Sequence, residues 1–435
     1  MTESSESSAL SRRGFLEAAS AASLVSLMAS SAAGEPATSS VSVSAAGPIA
    51  NMLPPAGEPN MIGAYGPWAA GIVGDQPARL SFLQSQFTDV EAWRKQAKTR
   101  VMDCLAPPDV GPVADVRVDH SEVFDGLQIE HVSWQLPYGP RTKAVVLKPV
   151  GVTGKLPAVI GLHDHGGRKF FGHEKITKTG ADQHPLMKEH QDDYYGGRAW
   201  ANELARQGYV VLVHDTFAFA SRKVDMSDVA RGALMNSQPI TDSADESIAA
   251  YNSWAGQHEH LMAKSLFCAG TTWPGVFLTD DQRALDYLCG RPDVDAGRVG
   301  CAGLSGGGLR TVYLGGLDER IKCACCVGMM STWRDYLLHK CHTHTWMIYI
   351  PLLPRDLDYP EILALRAPAA TLVQNDNEDS LFTLPEMQRA DRMMKAVFDK
   401  AGASDRYRCT FYPGPHKFDV PMQTEAFEWF DKWLK

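Results

Sequence analysis

Val299-Gly300-Cys301-Ala302-Gly303-Leu304-Ser305-Gly306-Gly307-Gly308 reads as a short apolar strand, a tight turn centred on Ser305 and the start of a helix. The pattern Gly303-x-Ser305-x-Gly307 has a steric reason. A serine on a sharp strand-to-helix turn adopts a strained backbone, and side chains two positions to either side would collide with it. The turn lifts the hydroxyl above the sheet. It also leaves the next amide, that of Gly306, aimed where an oxyanion forms. Five residues do not separate such a turn from an inert Gly-rich loop; the flanking sequence does.

Outward from this turn, apolar runs alternate with helical stretches. Ala158 to His163, Val210 to Asp215, Val299 to Gly303, Cys323 to Val327 and Ala369 to Gln374 are short and bounded by Gly or Pro. Such runs, separated by helices, predict a mostly parallel sheet covered on both faces. Leu127 to Leu136 and Thr142 to Lys148 flank the turn Tyr138-Gly139-Pro140 and predict an antiparallel hairpin before it. Arg406 to Tyr412 is a further strand, and Val420 to Leu434 a closing helix. Upstream, Phe82, Phe87, Val90, Trp93, Ala97 and Val101 have helical spacing over about 76–105, stopped by Pro107-Pro108. Residues 329–358 form an insertion between two core strands, in the place of a lid, and carry Trp333, Trp346 and Tyr349.

The order of polar residues after Ser305 carries the chemistry. A serine hydrolase on such a sheet orders its triad as Ser, acid, His. Past the strand ending at Gln374 comes Asn375-Asp376-Asn377-Glu378-Asp379-Ser380-Leu381-Phe382. An acid just beyond the C-terminal edge of a buried strand is placed to orient a histidine. Asp379 is the first choice, with Asp376 and Glu378 as rivals. The loop Pro413-Gly414-Pro415-His416-Lys417-Phe418 then offers His416 to take the serine proton and return it to the leaving group. The second oxyanion donor comes from the loop after an early strand, Leu162-His163-Asp164-His165-Gly166-Gly167, where the amide of His165 pairs with that of Gly306. His163-x-His165 lacks the Cys or carboxylate partners of a zinc site, and His339, Cys341, His342 and His344 match no standard zinc spacing. No metal and no cofactor is expected.

Composition narrows the partners. The chain has 435 residues, 44% of them hydrophobic, and a net charge of −9, which argues against nucleic acid or an anionic membrane surface. Ser11-Arg12-Arg13-Gly14-Phe15-Leu16 precedes a weakly apolar run from Ala18 to Ala33, with Ser31-Ala32-Ala33 as a cleavage site. A twin arginine in this setting resembles a Tat export signal, with the export machinery as partner and a periplasmic or secreted product. No later stretch is long and apolar enough to span a bilayer. Nine cysteines is an odd number, and Cys323, Cys325 and Cys326 sit in an apolar run, so no disulfide framework is expected.

Taken together, these stretches resemble a known family. Trp273-Pro274-Gly275, Asp280-Asp281, Ala284-Leu285-Asp286-Tyr287-Leu288, Arg291-Pro292-Asp293-Val294-Asp295, Arg298-Val299-Gly300 and Gly303-Leu304-Ser305-Gly306-Gly307 are similar to the bacterial acetyl xylan esterase and dienelactone-hydrolase-like branch of the α/β-hydrolases. The His-x-His-Gly-Gly loop, His214-Asp215 with Arg222 downstream, and Asp379-Ser380-Leu381-Phe382 are similar too. The resemblance covers about 126–434, with Asp164 standing where the family has a glycine. It implies an α/β-hydrolase fold with an N-terminal helical extension and a lid insertion. The expected layout is a signal peptide over 1–33, a linker over 34–60, the helical extension over 61–115 and a catalytic domain over 116–435. The implied reaction is hydrolysis of small acyl esters, acetyl above all, of carbohydrates or related polyols through a serine acyl-enzyme. Arg222, Trp333 and Trp346 are the expected substrate contacts. The alternatives are a prolyl-oligopeptidase-like peptidase, since the elbow is shared, and a non-catalytic binding protein of the same fold.

Overall fold

The computed structural model describes residues 59–74, 76–240 and 242–435, all within one unit, Pro48–Lys435. The expected signal peptide, and the linker up to residue 58, lie outside the described residues. The strands are β1 (Ala114–Phe124), β2 (Leu127–Gln135), β3 (Thr142–Pro149), β4 (Leu156–Gly161), β5 (Val210–His214), β6 (Val294–Leu304), β7 (Ile321–Val327), β8 (Ala370–Asp376) and β9 (Tyr407–Tyr412). They form one sheet in the order β1-β2-β3-β5-β4-β6-β7-β8-β9. The first three and the β3–β5 pair are antiparallel, and every pair from β5 to β9 is parallel. β6, which ends at the serine turn, lies between β4 and β7.

The continuous apolar runs follow from burial on both faces, because successive side chains of a strand point to opposite sides. Ala158 and Ile160 of β4 pack into one core layer, and Val159 packs into the other. Ala324 and Cys326 of β7 likewise face one layer, and Cys323 and Cys325 the other. Helices complete both layers: α1 (Gly66–Val73), α2 (Val90–Leu105), α3 (Pro185–Tyr195), α4 (Trp200–Arg206), α5 (Asp245–Cys268), α6 (Trp273–Gly290), α7 (Gly306–Leu317), α8 (Tyr359–Ala364), α9 (Leu384–Lys400) and α10 (Val420–Leu434). All nine cysteines are free thiols; Cys301, Cys323, Cys325 and Cys326 are buried in the central strands.

One expectation about elements is corrected. Of the one or two amphipathic helices expected over about 76–105, one is present and begins only at Val90, where the Asp89 side chain accepts the Ala92 amide at 2.7 Å and caps it. Phe82 sits in the turns before it and packs its ring on Trp93, centroids 4.8 Å apart. β1, which the sequence reading left without an element, is a strand at the sheet edge. The lid insertion, between β7 and α8, is a short α/π helix over 333–340 followed by single turns.

Candidate active site

The turn after β6 has the strain its sequence demands. Ser305 lies at φ 57°, ψ −115°, a conformation that costs a non-glycine residue about 1–3 kcal/mol. Its amide bonds the Val327 carbonyl of β7 at 2.9 Å, and its carbonyl accepts the Leu309 amide of α7 at 2.8 Å, so both ends are held. A Cβ on Gly303 would stand 2.6 Å from Gly307, and one on Gly307 would stand 2.0 Å from the Leu162 carbonyl oxygen. The two flanking glycines are therefore required by contact, as their spacing implies.

Asp379 follows β8 and His416 follows β9, which brings them together at the C-terminal edge of the sheet. Asp379 Oδ2 is 2.6 Å from His416 Nδ1, while its Oδ1 accepts the Leu381 amide at 2.9 Å. With one oxygen fixed by backbone, the other sets the ring. Burial pulls the His416 imidazole down, but the Asp379 bond and charge outweigh it, and its pKa is raised above the ordinary value. His416 Nε2 is buried with no partner among the described residues, and His416 and Ser305 line the same cavity. The rival acids go elsewhere. Asp376 Oδ2 accepts the Lys417 amide at 3.1 Å, and burial pushes this carboxyl up to about 7. Glu378 is exposed and bonds Gly414 through its backbone.

The His165 amide nitrogen lies over the turn, 2.8 Å from where a Gly306 Cβ would be. Among the described residues neither this amide nor that of Gly306 has an acceptor. Asp164, standing in the place of a glycine, is accommodated by pointing its carboxylate into the protein. Oδ1 accepts the Tyr195 hydroxyl at 2.5 Å and lies 3.0 Å from His190 Nε2, both on α3. Burial opposes its ionisation, yet His190, Lys175 and Tyr195 hold it well below the usual carboxylate range.

The cavity above Ser305 measures about 380 Å³. Leu304, Leu309, Met329, Ile348 and Leu381 form its apolar wall; Tyr194, Glu259, Thr343, His344 and Thr345 form its polar wall. The expected substrate contacts are not among its lining residues. Arg222 is buried beneath the β2–β3 turn, where its Nη1 donates to the Tyr138 carbonyl at 2.9 Å. Trp333 is buried, with Nε1 bonded to the Leu357 carbonyl and its ring against Tyr336 and Tyr359. Trp346 is on the lid, half out in solvent, its ring against Tyr349.

The histidines do not gather. His163 Nδ1 donates to the Asp164 carbonyl, His344 Nε2 donates to the Leu381 carbonyl at 2.9 Å, and His342 meets Met61. Among the described residues the one group of three metal-capable side chains is His173, Glu174 and Asp215. There Asp215 Oδ1 already takes the His173 amide and ring nitrogen, each at 2.9 Å. Three residues escaped the sequence reading. Glu259 on α5 bonds His165 Nε2 at 2.7 Å and Lys169 at 2.8 Å with one oxygen. With the other it accepts Thr345 Oγ1 at 2.5 Å and the Trp346 amide at 3.1 Å. It ties the lid edge to the loop that carries His165, and no local motif announces it. Gly328 approaches so closely that a Cβ would stand 2.8 Å from His416 Cε1. Lys175, in a single turn after β4, reaches under the same loop.

Comparison with known proteins gives a consistent picture of the architecture. No protein-family model matches the sequence. YtaP of Bacillus subtilis (strain 168), which carries a provisional hydrolase name, is 27% identical over 348 residues, covering 79% of this chain and all of that protein. A Bacteroides fragilis NCTC 9343 protein, provisionally an acetyl xylan esterase, superposes with a TM-score of 0.60 at 17% identity, over 81% of this chain and 83% of its own. A glucuronoyl esterase from Solibacter usitatus superposes with a TM-score of 0.53 at 16% identity, over 82% and 97%. The chain has the α/β-hydrolase fold: a mostly parallel nine-stranded sheet flanked by helices, with Ser305 on the turn after β6.

Proposed function

We propose that the chain is a serine esterase that hydrolyses small acyl esters, acetyl above all, of carbohydrates or related polyols. One observation carries this reading: a strained Ser305 shares a cavity with an imidazole whose far nitrogen is held by Asp379 and whose near nitrogen is unbonded. In the reaction His416 Nε2 takes the Ser305 proton as Oγ attacks the ester carbonyl carbon. The Gly306 and His165 amides hold the resulting oxyanion. Collapse breaks the bond to the alcohol, which leaves with the proton from His416, and an acyl-serine remains. Water then repeats the sequence, its proton passing to His416 and back to Ser305 as the acid departs.

The substrate class is drawn from the cavity walls. The apolar side accepts a short acyl chain, and the polar side, with Thr343, His344, Thr345 and Glu259, presents acceptor atoms to hydroxyl groups. The names borne by the structural neighbours, an acetyl xylan esterase and a glucuronoyl esterase, agree with ester chemistry on sugars. Export by the twin-arginine route to the periplasm or beyond belongs to the same proposal and rests on Arg12-Arg13 ahead of the Ala-rich run.

The test is kinetic. On an aryl acetate, Ser305→Ala and His416→Ala each lose several orders of magnitude in kcat/KM, and the double variant loses little more, because a triad acts as a unit. Additive losses, or an active Ser305→Ala protein inhibited by a chelator, would defeat the acyl-enzyme. A panel of acetylated sugars, aryl esters and peptides then separates an esterase from a peptidase. Failure of Ser305 to label with a fluorophosphonate would leave a binding protein.

A further inference from the structure

The polypeptide that carries the His165 amide is gripped from behind. Its carbonyl, that of Asp164, accepts the Lys175 ammonium at 2.8 Å and His163 Nδ1 at 3.1 Å. The same ammonium bonds the next carbonyl, that of His165, also at 2.8 Å. Lys175 has no solvent exposure, and its Nζ lies over the Phe219 ring at 4.8 Å. The bonds in which it donates go to the oxyanion loop. Lysine is almost never fully buried unless paired, and this one's charge is spent on the two carbonyls of that loop.

We propose that Lys175 is a positioning residue for the oxyanion site, aiming and polarising the His165 amide through the Asp164 carbonyl, the other end of the same peptide. The inference rests on the esterase reading of that site. The physical argument has two parts. A peptide plane pinned by two acceptor bonds on its carbonyl cannot rotate, so the N–H on its opposite edge stays fixed on the cavity. A cation at hydrogen-bond distance from the carbonyl also draws electron density across the amide. The N–H becomes a stronger donor, by an amount that low local dielectric enlarges. The effect is greatest where negative charge appears, which is the tetrahedral intermediate and not the bound ester.

The charge on Lys175 is itself conditional. Burial lowers its pKa to about 8 against the raising effect of Asp164, Glu174 and Asp215, with Arg168 acting alongside burial. His163, on the strand end beside it, is held well below its ordinary value by burial and by the charges of Arg310 and Lys175, so it stays neutral as the second donor. Above its pKa a neutral Lys175 keeps the hydrogen bonds in weaker form and loses the polarising charge.

The experiment compares wild type, Lys175→Met and Lys175→Arg on 4-nitrophenyl acetate, with phenylboronic acid as a mimic of the tetrahedral adduct. Losing an oxyanion donor outright costs about 10²–10³ in kcat, and weakening one should cost on the order of tenfold. Lys175→Met should therefore lower kcat about tenfold, leave KM within about twofold and weaken the boronate in step with kcat. Lys175→Arg, whose guanidinium does not deprotonate, should recover most of kcat. The wild-type rate should fall with pH above about 8, and the Arg variant should lack that limb. If Lys175→Met does not fold, the Arg variant and the wild-type pH profile decide alone. A folded Met variant with full kcat, a boronate affinity that does not follow kcat, or a wild-type kcat flat from pH 7 to 10 overturns the proposal. A wild type inert towards every ester defeats the esterase reading instead.

Discussion

Asp376 and Asp379 stand three residues apart and differ in what they hold. Asp379 orients the His416 ring, whereas Asp376 holds the loop through the Lys417 amide. Asp379→Asn should therefore cut kcat by up to ~10⁴, the loss seen when a triad acid is made neutral, and Asp376→Asn far less. Steady-state kinetics on one ester checks the order. The acid limb of kcat/KM should lie above the ordinary histidine value, because His416 must be neutral to act and Asp379 favours its charged form. The limb should move down in Asp379→Asn. Asp376 has the opposite sign from most carboxylates. Its folded pKa of about 7 exceeds its unfolded value, so its contribution is complete below the unfolded pKa and is lost as pH rises through 7. Asp376→Asn should flatten the fall in Tm between pH 5 and 8, read by scanning calorimetry. The choice between these acids was not legible in sequence, since all three candidates lie within four residues. The loop after β8, through the Asp379 amide on the Asp376 carbonyl and the Leu381 amide on Asp379 Oδ1, leaves Asp379 Oδ2 facing His416. Arg222 and Trp333 lie outside the cavity lining, and a polar or aromatic residue near a motif reads alike whether it meets substrate or props the frame.

Between elements, the serine turn depends on how α7 is anchored. Arg310 of α7 lies 2.5 Å from Asp281 of α6 through Nη2, and His214 at the end of β5 is 3.0 Å from the same carboxylate oxygen. All three are buried. Asp280 next to it accepts the Tyr138 hydroxyl at 2.5 Å and the Phe217 amide at 2.8 Å. Arg310→Met leaves Asp281 without its cation and should cost about 3–5 kcal/mol, measured by urea unfolding. The paired acids of the Asp280-Asp281 motif thus build the platform under the turn. Buried strands and the closing helix were legible because burial on both faces leaves unbroken apolar runs. β1 was not. It pairs only with β2, and Val116, Val118 and Val123 are 43%, 60% and 68% exposed among its charges, so no buried face marks it. The start of α2 was missed because Phe82 and Phe87 fall on helical spacing by accident, while the cap that sets the boundary is the single residue Asp89.

For the whole molecule, the export proposal makes its own prediction. Replacing Arg12 and Arg13 by Lys should hold the unprocessed precursor in the cytoplasm, and normal periplasmic accumulation of that variant would overturn it. The architecture as a whole was readable from the order of strands and motifs, whereas the links between distant segments were not. Glu259 joins the loop that carries His165 to the lid across 94 and 86 residues of sequence, a distance no motif spans. The four thiols packed into β6 and β7 have a practical consequence. In the native protein an aromatic disulfide reagent should react at once with Cys268, exposed at the end of α5, while Cys301, Cys323, Cys325 and Cys326 stay silent. Those four should become titratable only when the sheet itself comes apart. Their slow release, followed by absorbance, makes the chain its own clock for global opening, with no residue changed.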